Sequence, residues 1–279
     1  MTGNDSSNSR FAIARAAERI RFAGTMHRTV PPVRDLIAVE DLDSAYEVQR
    51  QVAALQEASG ARVIGRKLGL VSPEVQDQLG VHQATIGTLM DVNRIIHDGT
   101  VRISQLIQPL VEAEVAFRLS RDLDDEDIGI DEASSAVEEV FAAIEIVDSR
   151  IERWNIAAVD TIADNASAGL FVISNAGLPI EGLDLLHAKM ELFRNGFRVS
   201  NGAGTDNAMG DPIRGLAWLA REACRQGIPL QAGQIVLAGA LGPMTPLEEG
   251  DSYVATIGDL PEVKVKIRSS VAARGAETR

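Results

Sequence analysis

The segment PLVEAEVAFRL constrains this chain more than any other part of it. Val111, Ala113, Val115, Phe117 and Leu119 take alternate positions, the period of a half-buried β-strand. The same period of two sets Glu112 and Glu114 side by side on the opposite face. Glu145 lies in a second apolar run, FAAIEIV, where an unpaired carboxylate is costly to bury. Three acids drawn together repel one another and raise their own pKa values unless a positive group joins them. A hard divalent cation answers that repulsion, because Mg2+ or Mn2+ prefers carboxylate and water oxygens and leaves coordination positions for substrate. The competing reading of E-x-E is a solvated strand face, and periodicity alone does not separate the two.

Composition narrows the remaining classes. Within 279 residues no run approaches the roughly 18 apolar residues of a membrane span. The opening MTGNDSSNSR is polar and lacks the apolar core of a signal peptide, so a cytoplasmic location is expected. A lone cysteine, Cys224, excludes an internal disulfide framework and a Cys-rich zinc site. With 27 basic and 40 acidic residues the net charge is −13, which argues against general nucleic-acid binding.

Helical spacing runs from about residue 9 to 23 through Phe11, Ile13, Ala16, Ala17 and Ile20. A second helix is expected over Asp43 to Ala58, with Tyr46, Val48, Val52 and Leu55 inward and Gly60 as its stop. These form a helical N-terminal portion, residues 1–61, ahead of a β-rich catalytic domain, 62–279. In the latter, RVIGRKLGL reads as a strand and SPEVQDQLG as a short helix capped by Ser72. TLMDV, RIIHD, QIVLAGA, DSYVATI and EVKVKI read as further strands, and DEASSAVEEV as a helix. Asn195-Gly196 marks a hairpin turn, and Asp211-Pro212 opens a helix that Gly227 closes. Because βαβ alternation is poor, the chain is expected to be α/β (α+β) around a mixed, mostly antiparallel sheet core.

Several familiar chemistries are missing. No phosphate-binding G-x-x-x-x-G-K-[ST] occurs, and Asn165 stands where a nucleophile elbow around Ser167 would need glycine. The four histidines show no zinc-ligand spacing.

What remains is a set of blocks: GRKLGLVSPEVQDQLGV, PLVEAEVAFRLSRDL, AAIEIVDSRIERW, VDTIADNASAG and LAGALGPM…GD. In this order they resemble the fumarylacetoacetate hydrolase superfamily, and within it the 2-keto-4-pentenoate hydratase/4-oxalocrotonate decarboxylase group. The resemblance covers about Pro31 to the final strand. It implies a rolled, mixed β-sandwich with flanking helices. Its metal-binding acids fall on Glu112, Glu114 and Glu145, in agreement with the reading above. Its active-site lysine falls on Lys67, whose apolar strand neighbours suit a side chain pointing into a cleft, there to bind the substrate's 2-oxygen or relay a proton. Asp164 and Ser167 match a substrate-binding loop, although DNAS would also serve as a cap. Gly242 matches a glycine-rich site wall.

The activity so implied is a metal-dependent hydratase of aromatic meta-cleavage catabolism. It would add water to a 2-hydroxy-2,4-dienoate and give a 4-hydroxy-2-oxo acid, with Mg2+ or Mn2+ as cofactor. The resemblance also implies a homo-oligomer, and an associated pathway enzyme as a further partner. One segment departs from the pattern. Val81-His82-Gln83-Ala84-Thr85-Ile86-Gly87 stands where the hydratases resemble V-D-Q-P-D-F-G. Thr85 replaces the second Asp, an expected acid/base, and a threonine hydroxyl is no base near neutral pH. His82, which titrates in the useful range, is the nearby substitute. Decarboxylation of a 2-oxo-3-enedioate, or an impaired homologue kept as a partner subunit, are the alternatives this leaves.

Overall fold

A computed structural model describes residues 3–71, 73–82, 84–206 and 209–269. Helices α1 (Gly3–Met26) and α2 (Leu42–Ala58) lead into β1 (Val63–Gly69), α3 (Pro73–Leu79), β2 (Thr85–Met90), β3 (Arg94–Ile95) and β4 (Gly99–Arg102). The long strands β5 (Pro109–Leu119) and β6 (Val137–Asp148) flank α4 (Ile130–Ser135), and α5 (Ala158–Ala163) precedes β7 (Ala168–Ile173). After the hairpin β8 (Lys189–Arg194) and β9 (Phe197–Ala203) come α6 (Pro212–Arg225), β10 (Ile235–Ala240), β11 (Thr245–Pro246), β12 (Ser252–Ile257) and β13 (Leu260–Arg268). Ser72, expected to cap α3, lies outside the described residues.

Two sheets result. The larger runs β2-β1-β10-β5-β6-β7-β3 with β11 added on β5, and the smaller runs β4-β13-β12-β8-β9. Most ladders are antiparallel; β1·β10, β3·β7 and β4·β13 are parallel. The smaller sheet stacks on β5, β6 and β7, where Val115, Phe117 and Ile144 meet Tyr253, Val263 and Val265 in the main core.

The larger sheet rolls until its edge strand β2 reaches the turn that precedes β7. There the Thr88 amide donates to Asn165 Oδ1 at 2.7 Å, and Asn165 Nδ2 donates to the Thr88 carbonyl at 2.9 Å. A side-chain amide thus takes the place of a strand neighbour and satisfies an edge that burial would otherwise leave unpaired. Strand alternation then sorts the enclosed face. Leu89, Ala116, Phe141, Ala143, Phe171, Ile173, Ile235 and Leu237 plug one half with apolar side chains. The same face of β1, β2, β5 and β6, two to four residues further along, carries Lys67, Thr85, Glu112, Glu114 and Glu145.

The N-terminal helices pack onto this body through α5: Ala16, Ala17, Ile20 and Val48 share one cluster with Val159, Ile162 and Ala163. Three local expectations change. Leu55 is 46% exposed rather than inward, because every residue of α2 from 54 onward is exposed. Gln49 is buried in its place, donating to the carbonyls of Ile86 and Ile162. The expected helix DEASSAVEEV stops at Ser135, since Val137 and Val140 enter the β6 ladder opposite Leu119 and Phe117. Strand β5 is buried on both faces, not one. Among the described residues no helix is long and apolar enough to cross a membrane.

Candidate active site

Glu112 and Glu145 are direct partners across β5 and β6, and Glu114 follows one alternation along on the same face. One oxygen from each of the three lies within 4.8 Å of the others, and all three residues are buried. A bulge in β10 between Leu237 and Ala240 turns the Gly239 amide onto Glu114 Oε2 at 2.9 Å. Gly239 makes that turn at φ 91°, a conformation open chiefly to glycine. Lys67 enters from β1, and its Nζ lies 3.1 Å from Glu145 Oε1.

Electrostatics make this cluster unbalanced as it stands. Burial, with the charge of Glu145 second, pushes Glu112 up to about 7. Burial and the charges of Glu145 and Glu112 hold Glu114 well above the ordinary carboxylate range. Burial alone would lower Lys67, but Glu145, Glu112 and Glu114 outweigh it and keep the ammonium form favoured. Glu114 Oε1 and both oxygens of Glu145 have no hydrogen-bond partner among the described residues; Lys67 meets Glu145 as a close charge off hydrogen-bond geometry. Leaving such buried acceptors unmade costs about 1–3 kcal/mol each, and more when charged. Three hard oxygen ligands, converging and short of two positive charges, fit a divalent cation such as Mg2+, Ca2+ or Mn2+.

Around Lys67 the sheet is cut back to backbone. Lys67 pairs with Gly87, and Gly69 with Thr85. A methyl on Gly87 would meet the Asn165 carbonyl at 2.8 Å, and one on Gly69 would meet Thr85 Oγ1 at 2.6 Å and Ala166 Cβ at 3.1 Å. The bare positions receive the turn Asn165-Ala166-Ser167, whose φ angles of 57°, 50° and 54° are all left-handed. Outside glycine and asparagine that conformation costs roughly 1–2 kcal/mol per residue. Two anchors hold it in place: the Asn165–Thr88 amide pair, and a clamp at Asp164.

The clamp corrects one expectation. Asp164 is fully buried, yet its carboxylate accepts from Ser149 Oγ at 3.0 Å, from the Arg150 amide at 2.9 Å and from the Arg150 guanidinium. Arg150 also donates to the carbonyls of Asp164 and Ala168. Asp164 is therefore spent on holding the turn and has no free oxygen for substrate. Ser167 Oγ is buried without a partner among the described residues, as is Thr85 Oγ1. His82 is exposed on the connection into β2 and does not join the buried groups. What surrounds Gly242 is packing, since a Cβ there would strike the Asn201 carbonyl and Met190 Cε, both at 2.7 Å. The sequence assigns no site role to Arg150 or Asn165; the signal it carries is an Asn, tolerant of left-handed backbone, inside the DNAS run.

No protein-family model matches the chain. Curated relatives do. 2-Keto-4-pentenoate hydratase 1 of Dechloromonas aromatica (strain RCB) is 45% identical over 249 residues, 89% of this chain and 94% of that protein. The chain belongs to the 2-keto-4-pentenoate hydratase family. Another relative, 2-hydroxyhexa-2,4-dienoate hydratase of Comamonas testosteroni, is 40% identical over 81% of this chain and 86% of its own length. Among solved structures, 4-oxalocrotonate decarboxylase from Pseudomonas putida G7, complexed with magnesium and adipate, superposes with a TM-score of 0.87 at 27% identity, covering 92% of this chain and 98% of that one. Fumarylacetoacetate hydrolase from Exiguobacterium antarcticum shares the fold at a TM-score of 0.59 and 13% identity, over 74% of this chain and 75% of that one.

Proposed function

We propose that this chain is a metal-dependent hydratase that adds water to a 2-hydroxy-2,4-dienoate and yields a 4-hydroxy-2-oxo acid, a step of aromatic meta-cleavage catabolism. The observation that carries the metal is the convergence of Glu112, Glu114 and Glu145 against a single ammonium. The reaction is carried by relatives named for hydration of such dienoates.

Glu112, Glu114 and Glu145 would hold Mg2+ or Mn2+, which when bound supplies Lewis acidity toward the C1 carboxylate and C2 oxygen of the substrate. Lys67 keeps a buried ammonium beside that end and stabilises negative charge as it develops on the 2-oxygen. Ser167 offers a buried, unengaged hydroxyl from the far wall to a substrate oxygen. The bare glycines of β1 and β2 let the 165–167 turn close over Lys67 and bring Ser167 to this face, and the apolar plug behind it keeps bulk water out. In the overall change one water is consumed: its oxygen bonds to C4 and a proton reaches C3, after the dienol has isomerised to the 2-oxo-3-enoate.

A second reading is decarboxylation of a 2-oxo-3-enedioate, favoured by the close superposition on a decarboxylase and by Thr85, which cannot activate water as a base. Exposed Phe22 and Met26, four residues apart on one face of α1, would suit contact with a second copy in a homo-oligomer. The decisive experiment offers 2-hydroxydienoates with and without a terminal carboxylate at fixed Mg2+ and identifies the products. Hydration gives a 4-hydroxy-2-oxo acid from the monoacid, and release of CO2 from the diacid alone would replace the first reading by the second.

A further inference from the structure

Thr85 is left without work by the mechanism above, yet its setting is that of a ligand-binding group. Its side chain is fully buried, and Oγ1 has no hydrogen-bond partner among the described residues. A buried hydroxyl kept unpaired is destabilising, so its retention points to a partner that arrives with the ligand. The register fixes where that partner must lie. Thr85 pairs with Gly69 and Lys67 with Gly87, which places Thr85, Gly69, Lys67 and Gly87 on one face. Thr85 Oγ1 and Lys67 Nζ approach the same point above Gly69, at 2.6 and 3.6 Å from where a methyl would sit. Lys67 in turn stands 3.1 Å from Glu145. From the acids outward the order is Glu145, Lys67, Thr85.

We infer that Thr85 is a specificity-determining residue whose hydroxyl binds the oxygen on C4 of the 4-hydroxy-2-oxo acid. The inference rests on the hydratase reading: with C1 and C2 at the acids, the carbon chain passes Lys67 and brings C4 toward Thr85. A hydroxyl carries one donor and two acceptor positions, which suits another hydroxyl or a water, whereas the ammonium next to it can only donate. Thr85 holds that oxygen in place and takes no proton from it.

The test is calorimetric binding, in saturating Mg2+, of 2-oxopentanoate and 4-hydroxy-2-oxopentanoate to wild type, Thr85→Val and Thr85→Ser. Wild type is expected to prefer the hydroxy acid by about five- to tenfold, the value of one neutral hydrogen bond. Thr85→Val should bind 2-oxopentanoate as wild type does and lose the preference, and Thr85→Ser should keep most of it. Valine matches threonine in shape and removes an unpaired polar atom, so the melting temperature of Thr85→Val should equal or exceed that of wild type. A preference that survives Thr85→Val overturns the inference, as does a variant that weakens both acids equally. Wild type that binds neither acid would overturn the hydratase reading first, and the assignment of Thr85 with it.

Discussion

Glu112 and Glu145 stand directly opposite each other in the β5–β6 ladder, both buried. Like charges at facing positions destabilise a sheet, and here Glu114 adds a third acid on the same face. A buried pair of this kind calls for a positive partner, which the proposed metal supplies. Mg2+ should therefore stabilise the protein by mass action, about 2.7 kcal/mol at a hundredfold excess over Kd. That corresponds to a rise of roughly 5–10 °C in melting temperature, reversed by chelator. Glu112→Gln removes the facing repulsion but leaves Lys67 with Glu145. Thermal denaturation with and without Mg2+ should show a variant more stable than wild type when metal-free, with most of the metal response gone.

The same acids set a pH dependence with an unusual sign. Burial holds Glu112 near 7 in the folded chain, above its ordinary value of 4.5. Between those values the folded state binds more protons than the unfolded one, so stability falls as pH rises. The metal-free protein should lose stability from about pH 4.5 to 7 relative to Glu112→Gln, and bound Mg2+ should flatten the difference. Melting curves across that range check it; a wild type that gains on Glu112→Gln with rising pH would contradict the assignment.

The acids were legible as sequence because strand periodicity and the cost of burying charge are local properties, read from PLVEAEVAFRL and FAAIEIV alone. Lys67 came from the resemblance and not from periodicity, since its neighbours Arg66 and Leu68 alone do not separate a cleft lysine from a surface one. The roll that brings β1 to face β5 and β6 followed from the resemblance and not from the residues alone, since its closure depends on Asn165 meeting Thr88, 77 positions away. Asp164 illustrates the limit further. Its residue type suits substrate contact, but Arg150 and Ser149 consume its oxygens, and only the backbone turn at 148–151 reveals that. His82 failed on direction: three residues from Thr85, it is exposed while Thr85 is buried.

Lys67 is the sole basic side chain paired with the three acids among the described residues. Lys67→Met leaves them without compensation, and breaking a buried charge pair in this way costs about 3–5 kcal/mol. The metal-free variant should lose that much stability and recover most of it with Mg2+, whose charge replaces the ammonium. Turnover should not recover, falling about a hundredfold or more, because the donor proposed for the 2-oxygen is gone. Denaturant melts and steady-state rates, each at saturating Mg2+, separate the two effects. Equal recovery of stability and rate would make Lys67 a structural counter-ion only.

Arg150 sets how firmly the left-handed turn presents Ser167. Its guanidinium spans the Asp164 carboxylate and the carbonyls of Asp164 and Ala168, a fork that a lysine cannot reproduce. Arg150→Met strands a buried carboxylate and should cost about 3–5 kcal/mol. Arg150→Lys keeps the charge but loses the fork, so the strained residues 165–167 can relax away from Gly69 and Gly87. Its expected signature is a KM raised about tenfold, one hydrogen bond's worth, with Mg2+ affinity unchanged because the turn that relaxes contributes none of the three acids. Paired measurements of KM and metal-induced stabilisation test this. A variant that loses metal binding as readily as substrate binding would show that the turn supports the acids themselves, and not the wall opposite them.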